Sequence, residues 1–141
     1  MDNSISMLPN LLHTLRKKMM EDYTKLLDSY GLTQAHVPYL MVLCHHKDGL
    51  AQKDMIDIIH LDKAHASRAL KELVIKEIVI KEDKNTYKNK YFLSDKGLEL
   101  TKKMKLLNQS SHEEVFSILT DEERKQLENI VKKLTDHLME K

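Results

Sequence analysis

Hydrophobic positions recur at spacings of three and four along Leu8, Leu12, Leu15, Met19, Tyr23, Leu26 and Tyr30, the single stripe of one long helix. Ser6 stands where a cap belongs, Pro9 falls in the first turn, where a missing N–H is tolerated, and Gly31 supplies a left-handed stop. A second helix is predicted from Thr33, turning Val37, Leu40, Met41, Leu43 and Cys44 inward. With Thr33 as its cap, Pro38 removes a ladder hydrogen bond, so that helix should bend or start later. After a break at Lys47, Asp48 and Gly49 come two shorter helices. Ala51 to Ile59 offers Met55, Ile58 and Ile59 as an inner face, and His60 and Leu61 form the turn. Asp62 then caps a helix that buries Ala66, Ala69, Leu70 and Leu73.

The period next changes to that of strands. Ile78 to Lys81 and Lys90 to Leu93 are β-rich and bracket a polar loop in which Lys84, Lys88 and Lys90 follow one another with no acid between them. The pattern then returns to helix, with Ser94 as a cap, Leu98, Leu100, Met104, Leu106 and Leu107 as apolar positions, and a run to about His112. A last helix starts at Thr120, where Thr120 and Glu123 have capping-box spacing and Asp121 and Glu122 suit the positive end of the helix dipole. Its stripe is Leu127, Ile130, Val131, Leu134 and Leu138. The fold class is mainly α with a small β-hairpin. With no repeats, linkers or low-complexity tracts, residues 1–141 read as a single domain. The long first and last helices carry more apolar stripe than the small central module covers, which predicts a second copy of the chain as the cover. Packing of the two stripes on each other within one chain is the alternative.

Composition agrees with a helical body, since 141 residues hold only 3 Gly and 2 Pro beside 8 Met. Met1 to Ser6 does not read as a leader, no stretch approaches a membrane span, and the lone Cys44 suits a reducing compartment, so a cytoplasmic protein without a membrane partner is expected. The net charge is only +1, so any nucleic-acid surface must come from segregated charge. Gly-rich phosphate loops, paired carboxylates and supported nucleophiles are missing, which argues against an enzyme and against a cofactor. None of the 8 histidines has a partner at helical i, i+4 spacing, so no metal site is expected and each reads as an ordinary hydrogen-bonding side chain.

Segregated charge is what the central module supplies. An α-helix fits the major groove of double-stranded DNA, and a short helix before it, crossing the backbone, fixes its angle. On the second helix of that pair Lys63, Ser67 and Lys71 face outward, flanked by His65 and Arg68. Arg68 suits a two-pronged contact to guanine, Ser67, His65 and Lys63 suit bases or phosphates near the N-terminal end, and Lys71 suits phosphate. Lys84, Lys88 and Lys90 on the hairpin add charge for a neighbouring groove. A protein-interaction module that meets an acidic partner through the same hairpin is the rival from another class.

Leu32 to Leu43, Leu50 to Leu61, the run from Asp62 to Leu70, and Leu93-Ser94-Asp95-Lys96-Gly97 together resemble the MarR family, over nearly the whole chain. The resemblance implies a winged helix-turn-helix transcription regulator, usually a repressor, that works as a homodimer on palindromic operators. It assigns residues 32–97 to the winged-helix DNA-binding region, and 1–31 and 98–141 to dimerisation helices. It also implies release of DNA by a small aromatic or phenolic effector, for which His13, Arg16 and Tyr39 are the candidate polar groups. Some relatives sense zinc, and Cys44 invites a redox-responsive variant of the same fold, yet Cys44 lies on an apolar helical face where an inert thiol is the default. The chain departs from the family pattern in two places. Glu77 stands where a glycine commonly ends the recognition helix, so either Glu77 adopts a left-handed backbone or the helix ends differently. Asn85 and Tyr87 stand where the wing usually carries an aspartate and an arginine, and lysines lack the planar fork of arginine.

Overall fold

The computed structural model describes residues 3–83 and 89–139. Lys84 and Lys88 of the hairpin, with Asn85 and Tyr87, lie outside the described residues. Two compact units divide the chain, Met1–Asn108 and Gln109–Lys141.

In the first unit a helical turn at Asn3–Ser6 precedes helix α1, Leu8–Ser29. Ser6 is itself helical and does not cap α1. The cap position falls to Met7, which makes no side-chain bond, and Pro9 sits in the first turn as expected. Gly31, at φ +70°, closes the helix. Leu32 N donates to the Leu27 carbonyl and Gly31 N to that of Asp28, the paired bonds of a Schellman end, with Leu27 and Leu32 both buried beside it. Burial on α1 falls on Tyr23 and Leu27, while Leu8, Leu11 and Leu12 stay exposed.

Pro38 shifts the start of the second helix. Thr33 caps a 3-10 turn, Gln34–His36, and the α-helix α2 runs only over Val37–His45, with Pro38 in its first turn where no ladder bond is lost. Val37, Tyr39, Leu40 and Leu43 of α2 are buried, and Cys44 is half-buried. The segment Leu50–Ala51 forms a two-residue strand, β1, too short for any alternation to announce it. Helix α3, Gln52–Ile59, buries Met55 and turns Ile56 and Ile59 against the core, whereas Ile58, expected inside, is 46% exposed. On a 3.6-residue period Met55, Ile59 and Ile56 share one arc, and Ile58 falls on its far flank.

His60, at φ 64°, ends α3, and helix α4 follows over Lys63–Ile75. Ala66, Ala69, Leu70 and Leu73 of α4 are buried, as their spacing predicted. At its end Ile78 N donates to the Leu73 carbonyl and Glu77 N to that of Val74. Glu77 is therefore the left-handed residue of a second Schellman end, at φ 61°, in the place a glycine would fill. Glu77→Gly is expected to raise the unfolding free energy by roughly 0.5–1 kcal/mol, the left-handed penalty less the added freedom of the unfolded chain. Urea denaturation checks this, and a lower stability would show that the glutamate's backbone is not strained.

Strands β2, Val79–Lys81, and β3, Lys90–Leu93, pair antiparallel with Ile80 opposite Phe92, and β1 joins the other edge of β3 with Leu50 opposite Tyr91. The sheet order is β1-β3-β2. Ser94 N donates to the Ile78 carbonyl, and its hydroxyl both lies 2.6 Å from the Glu77 carbonyl and accepts from Gly97 N. That serine starts helix α5, Asp95–Phe116, which runs four residues past the expected His112. Leu100 and Met104 of α5 complete the core with Tyr23, Leu27, Leu40, Met55 and Leu70.

The second unit holds the end of α5 and helix α6, Asp121–Met139. Both capping-box bonds form, Glu123 N to Thr120 Oγ1 and Thr120 N to Glu123 Oε1, and the latter hydrogen bond holds the Glu123 carboxyl below its usual range. Arg124 Nε donates to the Phe116 carbonyl across the turn. No residue of α6 is buried, and Leu127, Ile130, Val131, Leu134 and Leu138 are 37%, 55%, 51%, 50% and 73% exposed. A groove of about 540 Å³ runs beside this stripe, floored by Phe116, Leu127 and Val131 and edged by His112, Arg124 and Lys132. Among the described residues no helix is long and apolar enough to cross a membrane.

Candidate nucleic-acid interface

Helix α4 stands on three supports, each of which leaves its outer face open. The first is its cap. Asp62, extended at φ −77° and ψ 165°, accepts from His65 N at 2.7 Å through Oδ1, which fixes where the helix begins.

The second support is Tyr39. This side chain is fully buried, its hydroxyl lies 2.8 Å from His65 Nδ1, and the two rings stack at 5.8 Å with 21° between their planes. Burial pushes the Tyr39 phenol above its usual range, the Asp62 carboxylate adds to that shift, and the Arg68 guanidinium opposes it. Asp62, His65 and Arg68 thus surround one phenol. Tyr39 belongs to the core beneath α4, not to an open pocket, and it is not brought to a surface with His13 and Arg16, which are exposed on α1.

The third support is His36, the last residue of the 3-10 turn, which is 2% exposed. Thr33 N donates to His36 Nδ1 at 3.0 Å, so that nitrogen bears a lone pair and the ring hydrogen sits on Nε2. Nε2 then donates to Glu72 Oε2 at 2.8 Å, fastening the 3-10 turn to the middle of α4. Thr33-x-x-His36 is a capping box with histidine in the glutamate position, and that spacing is the signal through which this contact was legible. Sequence reasoning passed over it, as it did Glu72.

With these supports in place, Lys63, Ser67, Arg68 and Lys71 all lie exposed on α4. His65 is only half-buried, and with Nδ1 tied to Tyr39 it keeps Nε2 as its remaining ring nitrogen. A further residue joins the face from the preceding helix. Gln52, at the start of α3, donates from Nε2 to Ser67 Oγ at 2.9 Å. Nothing in a spacing of fifteen residues marks that pair in the sequence. On the hairpin Lys90 is exposed, with its backbone N held by Glu82 Oε1 at 2.8 Å, and Lys81 lies over the Tyr91 ring at 5.7 Å. The described face therefore offers two lysines, an arginine and a serine on a helix of a width that fits a major groove, with a glutamine from α3 beside them and a lysine on the adjoining hairpin. Among the described residues no cluster of histidine, cysteine and carboxylate side chains is disposed to hold a metal ion.

A sequence model described as the MarR family matches residues 30–85, the span from the end of α1 into the hairpin. Sequence comparison with curated proteins finds no significant match. Among solved structures the chain is similar to a MarR transcriptional regulator from Methanosarcina mazei Go1, at 25% identity and TM-score 0.78, covering 92% of this chain and 88% of that one. It is similar to a MarR family regulator from Listeria monocytogenes that was solved with a 26mer DNA, at 25% identity and TM-score 0.73, over 98% and 90% of the two chains. It also shares the fold of a transcription regulator of a Staphylococcus aureus multidrug efflux pump, at 20% identity and TM-score 0.73, over 95% and 98%. Six helices with a three-stranded wing, matched along nearly the full chain, are what these structures have in common with it: the chain has the winged helix-turn-helix fold of MarR transcriptional regulators, and its residues 30–85 match the model of that family.

Proposed function

We propose that this protein is a cytoplasmic, homodimeric repressor that reads a palindromic operator near its own gene or its neighbours and leaves it when a small aromatic or phenolic effector binds. The observation that carries this reading is the outer face of α4, where Lys63, Ser67, Arg68 and Lys71 stand exposed on a helix pinned by Asp62, Tyr39 and His36. A pinned helix loses little side-chain and backbone freedom on docking, and its positive charge meets phosphate. The DNA-bound Listeria regulator of the same fold adds support. In this reading residues 32–97 contact DNA, with Lys84, Lys88 and Lys90 reaching from the wing, while 1–31 and 98–141 form the dimer. Of the candidate effector groups, His13 and Arg16 are exposed on α1, while Tyr39 is buried and bonded to His65 of α4.

Arg68→Ala is expected to weaken operator binding by roughly 1 to 3 kcal/mol and to relax the preference at one base pair, as loss of a two-pronged guanine contact requires. Fluorescence anisotropy against the DNA upstream of the gene, with a scrambled duplex as control and salt varied, measures both effects. Specific binding shows a steep fall of log affinity with log salt and a preference for the upstream duplex. Equal, weak binding to both duplexes would overturn the reading in favour of a protein-interaction module, and an equal loss on both duplexes in the variant would make Arg68 a phosphate contact.

A further inference from the structure

We infer that Tyr39 is a positioning residue that fixes the tautomer of His65, so that His65 meets DNA through an Nε2–H donor directed at an acceptor atom of the operator. The inference rests on the DNA-reading function proposed above. A neutral imidazole carries its one hydrogen on either nitrogen, and the edge it shows to a partner donates or accepts accordingly. The phenol beneath the ring settles which. Tyr39 is fully buried and, among the described residues, its hydroxyl has one partner, His65 Nδ1 at 2.8 Å. Burial keeps the phenol above its usual range, so its hydrogen is there to be given. Were the ring hydrogen on Nδ1, it would donate to the phenol oxygen and leave the phenol hydrogen buried without an acceptor. Tyr39 therefore donates, Nδ1 accepts, and the ring hydrogen sits on Nε2. A ring protonated at both nitrogens also carries a hydrogen on Nε2, so the outer edge donates in either charge state.

That donor is unspent. Among the described residues His65 Nε2 has no hydrogen-bond partner, and it is open to solvent, since the one buried side-chain polar atom without a partner is Asn108 Oδ1. His36 makes the contrast, because its Nδ1 also accepts, from Thr33 N, but its Nε2 hydrogen is used on Glu72. His65 lies in the first turn of α4, three residues before the exposed Arg68, at the end of the helix that helix-turn-helix proteins turn to base edges. Its ring is held in orientation by the stack on Tyr39 at 5.8 Å and by the phenol bond. An N–H held there finds acceptors at purine N7, guanine O6, thymine O4 and phosphate oxygen, and none at the amino groups of adenine and cytosine.

Two measurements on the full chain test this. In the free protein, heteronuclear NMR of the labelled imidazole rings at mildly alkaline pH, where a free imidazole is neutral, should show His65 with no hydrogen on Nδ1 and one on Nε2, its signals assigned by their loss in His65→Asn. Tyr39→Phe keeps the stacked ring and removes the hydrogen it gives, so the two nitrogen signals should move toward each other as both tautomers are populated. Operator affinity is the second measurement. His65→Asn keeps an amide oxygen near Nδ1 for Tyr39 but has no atom at Nε2, and it should bind about tenfold more weakly, whereas His65→Gln, with an amide N–H near the Nε2 position, should stay within about threefold of wild type. Circular dichroism establishes that each variant is folded. Operators changed one acceptor at a time, by base substitution, by C–H in place of purine N7 or by methylphosphonate in place of phosphate, locate the contact. At one position the loss should appear in wild type and vanish in His65→Asn, and a base or a phosphate at that position tells sequence reading from backbone positioning. A ring hydrogen found on Nδ1, ring signals unmoved by Tyr39→Phe, or no coupled position overturns the inference while leaving the DNA-reading function intact. A wild type that prefers no operator overturns that function and this contact with it, whichever tautomer the ring shows.

Discussion

Gly97→Ala is expected to destabilise the protein by about 3 kcal/mol, at the upper end of what overpacking a well-filled site costs. Gly97 lies in the first turn of α5, where alanine is ordinarily the better residue by roughly 1 kcal/mol. Here a Cβ would clash with the carbonyl oxygen of Ile78 and meet the Leu93 side chain at 3.1 Å. The first of these is backbone, and it is already engaged, because Ser94 N donates to that same carbonyl at 2.9 Å. Moving it would disturb Ile78, which is fully buried and whose own N–H ties the end of α4 to Leu73. The clash thus reaches the exit of the recognition helix, the start of the wing and the cap of α5 together. Urea unfolding of the variant measures the loss. Because the intrinsic preference runs the other way, a variant as stable as wild type would show that the close approach of α5 to Ile78 is soft, and the change of sign makes the outcome unambiguous.

Much of this arrangement was legible in the chain because it is local. Asp62 three residues before His65, Thr120 three before Glu123, and Gly31 after a helical stripe each announce a helix end through chemistry confined to one turn. The inward set Ala66, Ala69, Leu70 and Leu73 follows from the helical period alone. What escaped depends on partners distant in sequence. The strand at Leu50–Ala51 exists because Tyr91 and Lys90 lie opposite it, and Gln52 matters because the fold brings it to Ser67. Tyr39 shows the same limit from the other side. As a polar residue on the second helix it read as a candidate for a ligand, and only its place beneath His65, far away in the chain, reveals a core residue supporting the recognition helix. Glu77 was legible as a conflict between residue type and position, and the fold resolves it in favour of the position.

Replacing Ile130 and Leu134 together by lysine is expected to convert the proposed dimer into a monomer and to lower operator affinity about a hundredfold or more. The two positions lie one turn apart on α6 and are 55% and 50% exposed, within a stripe on a helix that has no buried residue. Lysine there meets water in a lone protomer, so the helix itself should survive, with Thr120 and Glu123 still capping it and circular dichroism little changed. In a dimer the same lysines would face the apolar stripe of a second copy, where burying an unpaired ammonium is prohibitive. The predicted cost to DNA binding follows from valency. Two recognition helices held one duplex turn apart make the second contact intramolecular, and an advantage of about 10² to 10⁴ disappears when the link is cut. Sedimentation at micromolar concentration and anisotropy on full and half operators separate the steps. The variant should bind the full operator no better than a half-site, and wild type should lose its advantage on the half-site. A variant that stays dimeric would place the subunit interface elsewhere, with the exposed Leu8, Leu11 and Leu12 of α1 as the next apolar face to test. A monomeric variant with undiminished operator affinity would mean that one winged helix suffices, and the palindromic-site reading would fall with it.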